Sequence, residues 1–231
     1  MQIIDKDLGE IRLTKNSRAR RITVRYREGI YHLTHPSHVS LTFIEDTIGE
    51  MKERLLKLKE KTPDIYIFTP DKVFKTHSFT VQVAENNCAN YYVQLKDGIL
   101  TISCPQYTDF QKEEVQATIR DNIEKALRYE AKRLFPAMVK ELAEKHGFQF
   151  SGVKVNKSRT RWGSCSSKKS INLSYYCLLL PTHLLELIIL HELCHTVEMN
   201  HGERFWLLMD KVTNGQSRRL TKELKAYRTL L

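Results

Sequence analysis

The sequence lacks the features that mark membrane and exported proteins. No run of apolar residues approaches the roughly 18 that a membrane-spanning helix needs. The first ten residues carry charges and contain no apolar signal segment. The five cysteines are odd in number and include no Cys-x-x-Cys pair, a pattern typical of a reducing compartment. We therefore expect a cytoplasmic protein with no membrane partner.

Hydrophobic residues make up 41% of the 231 residues, enough for one good core or two small ones. The net charge of +10 comes partly from two basic clusters. The first cluster is Arg18, Arg20, Arg21, Arg25 and Arg27, and the second is Arg218, Arg219, Lys222, Lys225 and Arg228. Such clusters can contact phosphates. The alternation of charged and apolar residues over 20–27 favours a solvated strand face instead.

The segment His191-Glu192-Leu193-Cys194-His195 has the spacing of a zinc site on a helix. Residues four apart lie on the same helical face, so the two imidazoles can share one metal ion. Glu192 then lies beside the open metal position, where its carboxylate can take a proton from a water whose pKa the metal lowers to about 7. The spacing predicts one Zn²⁺ per chain, with Glu192 as the general base and Cys194 as a packing residue.

The apolar segment in front of this motif predicts a buried helix that opens at Pro181-Thr182. Its apolar residues are Leu184, Leu185, Leu187, Ile188, Ile189 and Leu190. Two histidines and a glutamate are costly on a buried helix unless something satisfies their polar groups, and a metal does so directly. A pair of hydrogen-bonded core histidines is the alternative interpretation.

His201 is the best candidate for a third metal ligand. It lies ten residues after His191, which is about 15 Å along a straight helix and too far for a shared ion. The helix must therefore end between them, and Asn200 and Gly202 tolerate the left-handed conformation that ends helices. Three carboxylates are alternative ligands: Glu198, Glu203 and Glu223.

Four sequence blocks carry a resemblance to a known family. They are Arg159–Ser166 (RTRWGSCS), Ile171–Leu173 (INL), His191–His195 (HELCH) and Asn200–Trp206 (NHGERFW). In this order the blocks resemble the YgjP-like metal-dependent hydrolases, which are related to the SprT-like and WLM zincins. The resemblance extends over nearly the whole chain and is most specific from about 150 to 210. It implies a small zincin catalytic domain with His191, His195 and His201 as zinc ligands and Glu192 as general base.

The residues ahead of the zinc motif predict two strands around a polar loop. One strand is expected near Val153 and Val155, and the other over 171–180. An exposed edge strand of this hairpin could pair with an extended substrate backbone. Arg161 is a candidate for stabilising an anionic intermediate. The alternative is that Arg159 and Arg161 form a solvated arginine pair.

The first 109 residues predict a β-rich region with one amphipathic helix. Strand-like alternation over 10–33 and 79–104 is followed by Pro36 and Pro105, and in each case by a helix. The helices are expected over 41–59 and from about 110, and the repeated order suggests an internal duplication. Pro136 should kink or restart the second helix, which should end at His146-Gly147.

Together these elements predict an α+β protein, with a β-rich region over 1–109 and a zincin-like catalytic domain over 110–231. The first functional hypothesis is a metallopeptidase that acts on a peptide or an unfolded protein. The alternative is a metal-dependent nucleotide hydrolase that attacks a phosphoanhydride. A basic nucleic-acid-binding protein is a weaker hypothesis, because it leaves the histidines unexplained.

Overall fold

The computed structural model describes residues 1–27, 29–60, 66–87 and 89–228. The chain forms two compact units: unit 1 covers Met1–Tyr66, and unit 2 begins at Ile67. The segment 67–109 belongs to unit 2, and the side chain of Gln116 forms hydrogen bonds near both ends of this segment. The Gln116 amide donates to Phe68 O and Phe110 O at 2.8 Å, and its oxygen accepts from Phe68 N at 2.9 Å. The boundary between units therefore lies before Ile67, whereas the sequence placed it after residue 109.

Unit 1 is a four-stranded sheet with one helix. Its elements are β1 (Gln2–Asp5), β2 (Gly9–Lys15), β3 (Thr23–Arg27), β4 (Ile30–His35) and α1 (Leu41–Glu60). In the strand order β1-β2-β4-β3, β2 runs parallel to β4 and the other neighbours are antiparallel. Alternate residues of the two central strands are buried and form a core with α1: Ile11, Leu13, Tyr31, Leu33, Ile44, Ile48 and Leu55. The predicted first helix is confirmed.

The first sheet of unit 2 repeats this arrangement. Its elements are β5 (Phe74–Lys75), β6 (Thr80–Asn86), β7 (Tyr92–Lys96) and β8 (Ile99–Pro105). The order β5-β6-β8-β7 again has one central parallel pair, β6 with β8, and antiparallel neighbours on either side. In unit 1, Pro36 follows the last strand, in unit 2, Pro105 is the last residue of β8, and a helix comes next in both units. This shared topology supports the predicted internal duplication.

The long helix α2 (Glu113–His146) is a single helix that runs through Pro136. The predicted restart at Pro136 is therefore wrong. Pro136 lies on an exposed face, where water can satisfy the carbonyl that the missing N–H leaves free. The predicted end is confirmed: Gly147 has a φ of 74°, and Phe148 N donates to Ala143 O at 2.8 Å.

A third sheet leads into the metal motif. It consists of β9 (Gly152–Asn156), β10 (Gly163–Cys165) and β11 (Ser170–Ser174) in the order β10-β11-β9. β9 and β11 are parallel, and β10 is antiparallel to β11, so the predicted two-stranded hairpin is wrong. The second strand also stops at Ser174. The Ser174 hydroxyl accepts from Tyr176 N and starts a 3-10 helix, Tyr175–Leu179.

Three helices complete unit 2: α3 (Thr182–Cys194), α4 (Glu203–Val212) and α5 (Ser217–Leu224). The apolar residues of α3 are buried as predicted, and Leu184, Leu185, Ile189 and Leu193 are 0% exposed. Within the described ranges, no helix combines the length and the apolar character that crossing a membrane requires. The predicted α+β class is confirmed.

Candidate metal centre

The three histidines lie around a turn that joins α3 to α4. His191 is in the last turn of α3, and His195 follows the final helical residue, Cys194. The helix therefore ends before His201, as the distance argument required. The left-handed turn predicted at Asn200 and Gly202 is wrong, because neither has a positive φ. Backbone hydrogen bonds make the turn instead: Thr196 N to Leu193 O, Val197 N and Glu198 N to Cys194 O, and Gly202 N to Asn200 O.

The Nε2 atoms of the three histidines form a small triangle. His195 Nε2 lies 3.2 Å from His191 Nε2 and 3.2 Å from His201 Nε2, and the third side is 3.1 Å. Three ring nitrogens this close cannot all satisfy one another, because each has a single lone pair or a single proton to offer. Nitrogens bound to tetrahedral zinc at about 2.0–2.1 Å lie about 3.3 Å apart. The triangle therefore fits a tetrahedral metal ion with a fourth position left open.

A backbone hydrogen bond fixes which nitrogen of His195 faces this triangle. His195 Nδ1 lies 3.0 Å from Glu198 O. Since a carbonyl oxygen only accepts, Nδ1 carries the proton, and Nε2 of the neutral ring presents its lone pair to the other two histidines. Glu198 thus contributes its carbonyl group as an orienting partner for His195.

The alternative carboxylate ligands do not join the histidines. Within the described ranges, the cluster of side chains that could hold a metal consists of His191, His195 and His201. Glu223 on α5 instead accepts a hydrogen bond from His183 Nε2 at 2.7 Å. His183 is in the first turn of α3, about 12 Å along the helix from His191.

The protein interior keeps two of the imidazoles neutral. Burial, together with the neighbouring His195 and His201, lowers the pKa of His191 to about 4. Burial also lowers the pKa of His195, although its hydrogen bond with the Glu198 backbone opposes this. A neutral imidazole is the form that binds a metal. The two rings therefore have free lone pairs at neutral pH.

Glu192 directly follows His191 on α3 and is buried, with 5% of its surface exposed. Burial raises the pKa of Glu192 to about 7, and the positive charge of Arg161 acts in the opposite direction. Its Oε2 atom is buried, and no described residue forms a hydrogen bond with it. An unpaired buried carboxylate oxygen is costly and is retained where chemistry uses it. Glu192 therefore offers a buried proton acceptor on the residue that directly follows His191.

Gly163 is the residue that makes room for this carboxylate. A Cβ atom at position 163 would lie 2.6 Å from Glu192 Oε1 and 2.8 Å from Glu192 Cγ. A Cβ atom does not come this close to an atom to which it is not bonded. β10 can therefore approach Glu192 only because residue 163 has no side chain. The sequence analysis assigned no role to Gly163, and the only available signal was its place in the RTRWGSCS block.

The two candidate arginines have different environments. Arg161 is exposed, its backbone N–H donates to Ser158 Oγ at 3.1 Å, and its charge reaches Glu192. Arg159 instead donates to Glu124 Oε1 at 2.6 Å and to the Tyr176 hydroxyl at 2.9 Å. Arg161 therefore lies near the histidine site, whereas Arg159 ties the β9–β10 loop to α2.

Glu124 is the centre of the network that holds this loop. It is 7% exposed and also pairs with Lys157. Burial raises the pKa of Glu124, but hydrogen bonds from Lys157, Tyr176 and Arg159 outweigh burial and leave the pKa lowered. Glu124 is thus a buried carboxylate whose charge is compensated on several sides.

One aromatic ring lies against all three histidines. Phe205, on the first turn of α4, is 0% exposed. Its ring centroid is 4.9 Å from that of His191, 4.5 Å from that of His195 and 4.8 Å from that of His201. The sequence analysis did not single out Phe205. Its position in the NHGERFW block was the only signal.

Comparison with known proteins gives a family match. The family profile for the YgjP-like metallopeptidase domain matches residues 19–227, a range that includes parts of both units and the histidine triangle. No curated protein matches the chain.

Two solved structures resemble part of the chain. The metallopeptidase zymogen of Pyrococcus abyssi abylysin is 21% identical, with a TM-score of 0.35, and the match covers 38% of this chain and 90% of that one. The metallopeptidase zymogen of Methanocaldococcus jannaschii jannalysin is 22% identical, with a TM-score of 0.31, over 38% and 94%.

Proposed function

Since the chain belongs to the YgjP-like metallopeptidase domain family and is a metal-dependent hydrolase, we propose that it is a zinc peptidase that hydrolyses extended peptides or unfolded proteins. The observation that carries the proposal is the pairing of two features at one site. Three Nε2 atoms converge within 3.2 Å, and the residue directly after His191, Glu192, has a buried carboxylate oxygen without a hydrogen-bond partner among the described residues. Nitrogen ligands and an open fourth position are typical of catalytic zinc.

The histidines hold the metal, and Glu192 moves the proton. When bound, Zn²⁺ supplies a Lewis acid that activates water and polarises the substrate carbonyl. Glu192 accepts the proton of the attacking water at the carboxylate oxygen that has no other partner. It then donates this proton to the leaving amine. Gly163 keeps the carboxylate in place, because the bare backbone of β10 lies against it.

Arg161 stabilises the negative charge that develops on the carbonyl oxygen. Its positive charge reaches the Glu192 carboxylate and therefore the place of reaction. The Arg159 and Glu124 network holds the loop from which Arg161 extends. A positioned cation is most useful where charge forms in the transition state.

An extended substrate adds to the open edge of β10. β10 is the terminal strand of its sheet in the described part of the chain, so one side of its backbone has no strand partner there. A peptide that pairs with this edge makes main-chain hydrogen bonds, which do not depend on its sequence. Because Gly163 touches Glu192, a peptide paired with β10 lies next to the catalytic groups.

Nucleotide hydrolysis and nucleic-acid binding gain no support from the family match. The first basic cluster lies in unit 1, whereas the histidines lie in unit 2. In the second cluster, the Arg218 guanidinium covers the Trp206 ring at 3.7 Å from its centroid. This packing gives one member of that cluster a role that needs no phosphate.

The test compares Glu192→Gln with Glu186→Gln. Both changes remove one carboxylate from α3, but Glu186 is exposed and serves as the matched control. We expect Glu192→Gln to retain its zinc and to lose at least about 100-fold in the rate of unfolded-protein cleavage, because a positioned general base contributes at least that much. Glu186→Gln should cleave at the wild-type rate.

A panel of nucleoside triphosphates is run on the same preparations. Cleavage of protein that depends on Glu192, with no hydrolysis of nucleotide that depends on Glu192, supports the proposal. Full peptidase activity in Glu192→Gln contradicts the assigned role of Glu192. Glu192-dependent hydrolysis of nucleotides alone contradicts the proposed substrate.

A further inference from the structure

Phe205 is in contact with the whole histidine triangle, although it offers no hydrogen bond. Its centroid distances to the three imidazoles lie between 4.5 and 4.9 Å. The His195 ring stacks on Phe205 with 25° between the ring planes, whereas the other two rings meet it at 71° and 72°. The ring of a single residue therefore packs against all three imidazoles, stacked on one and steeply inclined to the other two.

The histidines differ in how well hydrogen bonds orient them. His195 is held through Nδ1 by the Glu198 carbonyl. The side chains of His191 and His201 have hydrogen-bond contacts, within the described ranges, only among the three Nε2 atoms. Metal-binding histidines usually have a second partner that fixes the orientation of the ring. Here packing must take over that task for two of the three rings.

The position of Phe205 in the fold suits this role. His191 lies in the last turn of α3, His201 lies in the loop that follows, and Phe205 lies in the first turn of α4. Phe205 is 0% exposed, so its own ring has little freedom to move. A rigid ring that touches ligands from two separate segments keeps them in register with each other.

We propose that Phe205 is a positioning residue that orients the three imidazoles for metal binding. The inference rests on the proposed zinc site. Phe205 lowers the cost of metal binding, because rings already held in the binding arrangement lose little rotational freedom when the metal arrives. Phe205 touches the three histidines and has no atom that could coordinate a metal, so its effect appears first in affinity.

The main variant is Phe205→Leu, with Met209→Leu as the matched control. Leucine keeps most of the apolar volume of phenylalanine but lacks the flat ring. Met209 lies one turn further along α4 and is also 0% exposed, so its replacement reports the general cost of altering this helix. A second variant, Phe205→Met, keeps an unbranched apolar side chain in case leucine disrupts folding.

The readouts are the zinc dissociation constant from a chelator competition, the absorption spectrum of the Co²⁺ form and the Tm of the metal-free protein. We expect the Phe205 variants to bind zinc about 10- to 100-fold more weakly, as is usual when a partner of the ligands is lost. Their Co²⁺ spectra should differ from wild type. Met209→Leu should match wild type within about twofold in affinity, with an unchanged spectrum.

The inference is overturned if either folded Phe205 variant binds zinc within twofold of wild type with an unchanged Co²⁺ spectrum. It is also overturned if Met209→Leu weakens zinc binding as much as the Phe205 variants do. Failure of the wild-type protein to bind zinc or cobalt is a different result, because it contradicts the proposed function itself.

Discussion

Replacing Gly163 with alanine places a methyl group against the Glu192 carboxylate. The new Cβ would lie 2.6 Å from Glu192 Oε1, about 0.8 Å closer than the 3.4 Å at which ordinary contact begins. The other close atoms, Cγ at 2.8 Å and Cδ at 2.9 Å, also belong to Glu192. The side chain of Glu192 must therefore move as a whole, by a distance close to 1 Å.

This displacement should affect catalysis far more than stability. A misplacement of about 1 Å in a catalytic group costs about 100-fold in rate, so we expect kcat/KM for an unfolded-protein substrate to fall about 100-fold. The atoms that clash belong to one side chain, so the free energy of unfolding should fall by only about 1–2 kcal/mol. The zinc content should not change, because the three atoms nearest to the new Cβ belong to Glu192 and not to a histidine.

The control for this variant is Gly152→Ala. Gly152 lies in β9 of the same sheet, and a Cβ there meets nothing within 4 Å. Activity and zinc content are measured for both variants, together with urea unfolding. Wild-type kcat/KM in a folded, zinc-loaded Gly163→Ala would refute the argument that the bare backbone at this position places Glu192.

Three further predictions concern the surroundings of the site. Glu124→Gln should lower the free energy of unfolding by about 1–2 kcal/mol at pH 7, because Arg159 loses its carboxylate partner. Since the pKa of Glu124 is lowered from 4.5, the stabilisation of the folded state by the Glu124 carboxylate is complete above about pH 4.5 and is lost as the pH falls through the folded-state pKa. If the difference in urea unfolding between wild type and variant persists unchanged well below this pH, the stabilisation does not come from the charge of Glu124. Arg161→Ala should keep its zinc and lose about 10- to 100-fold in kcat, and the kcat of Arg161→Lys should lie between those of wild type and Arg161→Ala. Equal kcat values for wild type and both variants would contradict a role of Arg161 in the mechanism. A fragment that begins at Ile67 should fold and bind zinc, whereas one that begins at Phe110 should not, because it lacks the β5–β8 sheet and the Gln116 contacts to Phe68; circular dichroism and zinc analysis decide between them.

The spacing of residues within one segment was sufficient to predict that His191, His195 and His201 lie close together. The helical period places His191 and His195 on one face, and the structure brings their Nε2 atoms to 3.2 Å. The length of a straight helix required a break before His201, and the break is present. Both distances follow from the number of residues between the histidines, and this number can be counted in the sequence.

Contacts between distant segments could not be predicted from the spacing of residues within one segment. Gly163 meets Glu192 across 29 positions of the sequence, and nothing in the local pattern of either residue indicates the approach. Phe205 looks like an ordinary apolar residue of an amphipathic helix. Its contact with three ligands depends on how the turn after α3 folds back, and that turn uses backbone hydrogen bonds in place of the expected left-handed residues.

Strand pairing was mispredicted for a related reason. Alternation identifies a strand but does not tell a parallel partner from an antiparallel one, so the β9–β11 pair was taken for a hairpin. The end of β11 had a local signal that was missed, since Ser174 is a suitable cap for the turn that follows. The hydrogen bonds between Gln116 and Phe68 also join distant segments, and Gln116 is a polar residue whose burial the sequence did not reveal.

The most direct test is the zinc content of chelator-free protein, measured by mass spectrometry for wild type, His201→Ala and Glu223→Ala. Glu223 is the control because it pairs with His183, away from the histidine triangle. We predict about one zinc per chain in wild type and Glu223→Ala, as a three-histidine site requires, and loss of the metal in His201→Ala. Full retention of zinc in His201→Ala, or its loss in Glu223→Ala, would contradict the three-histidine site.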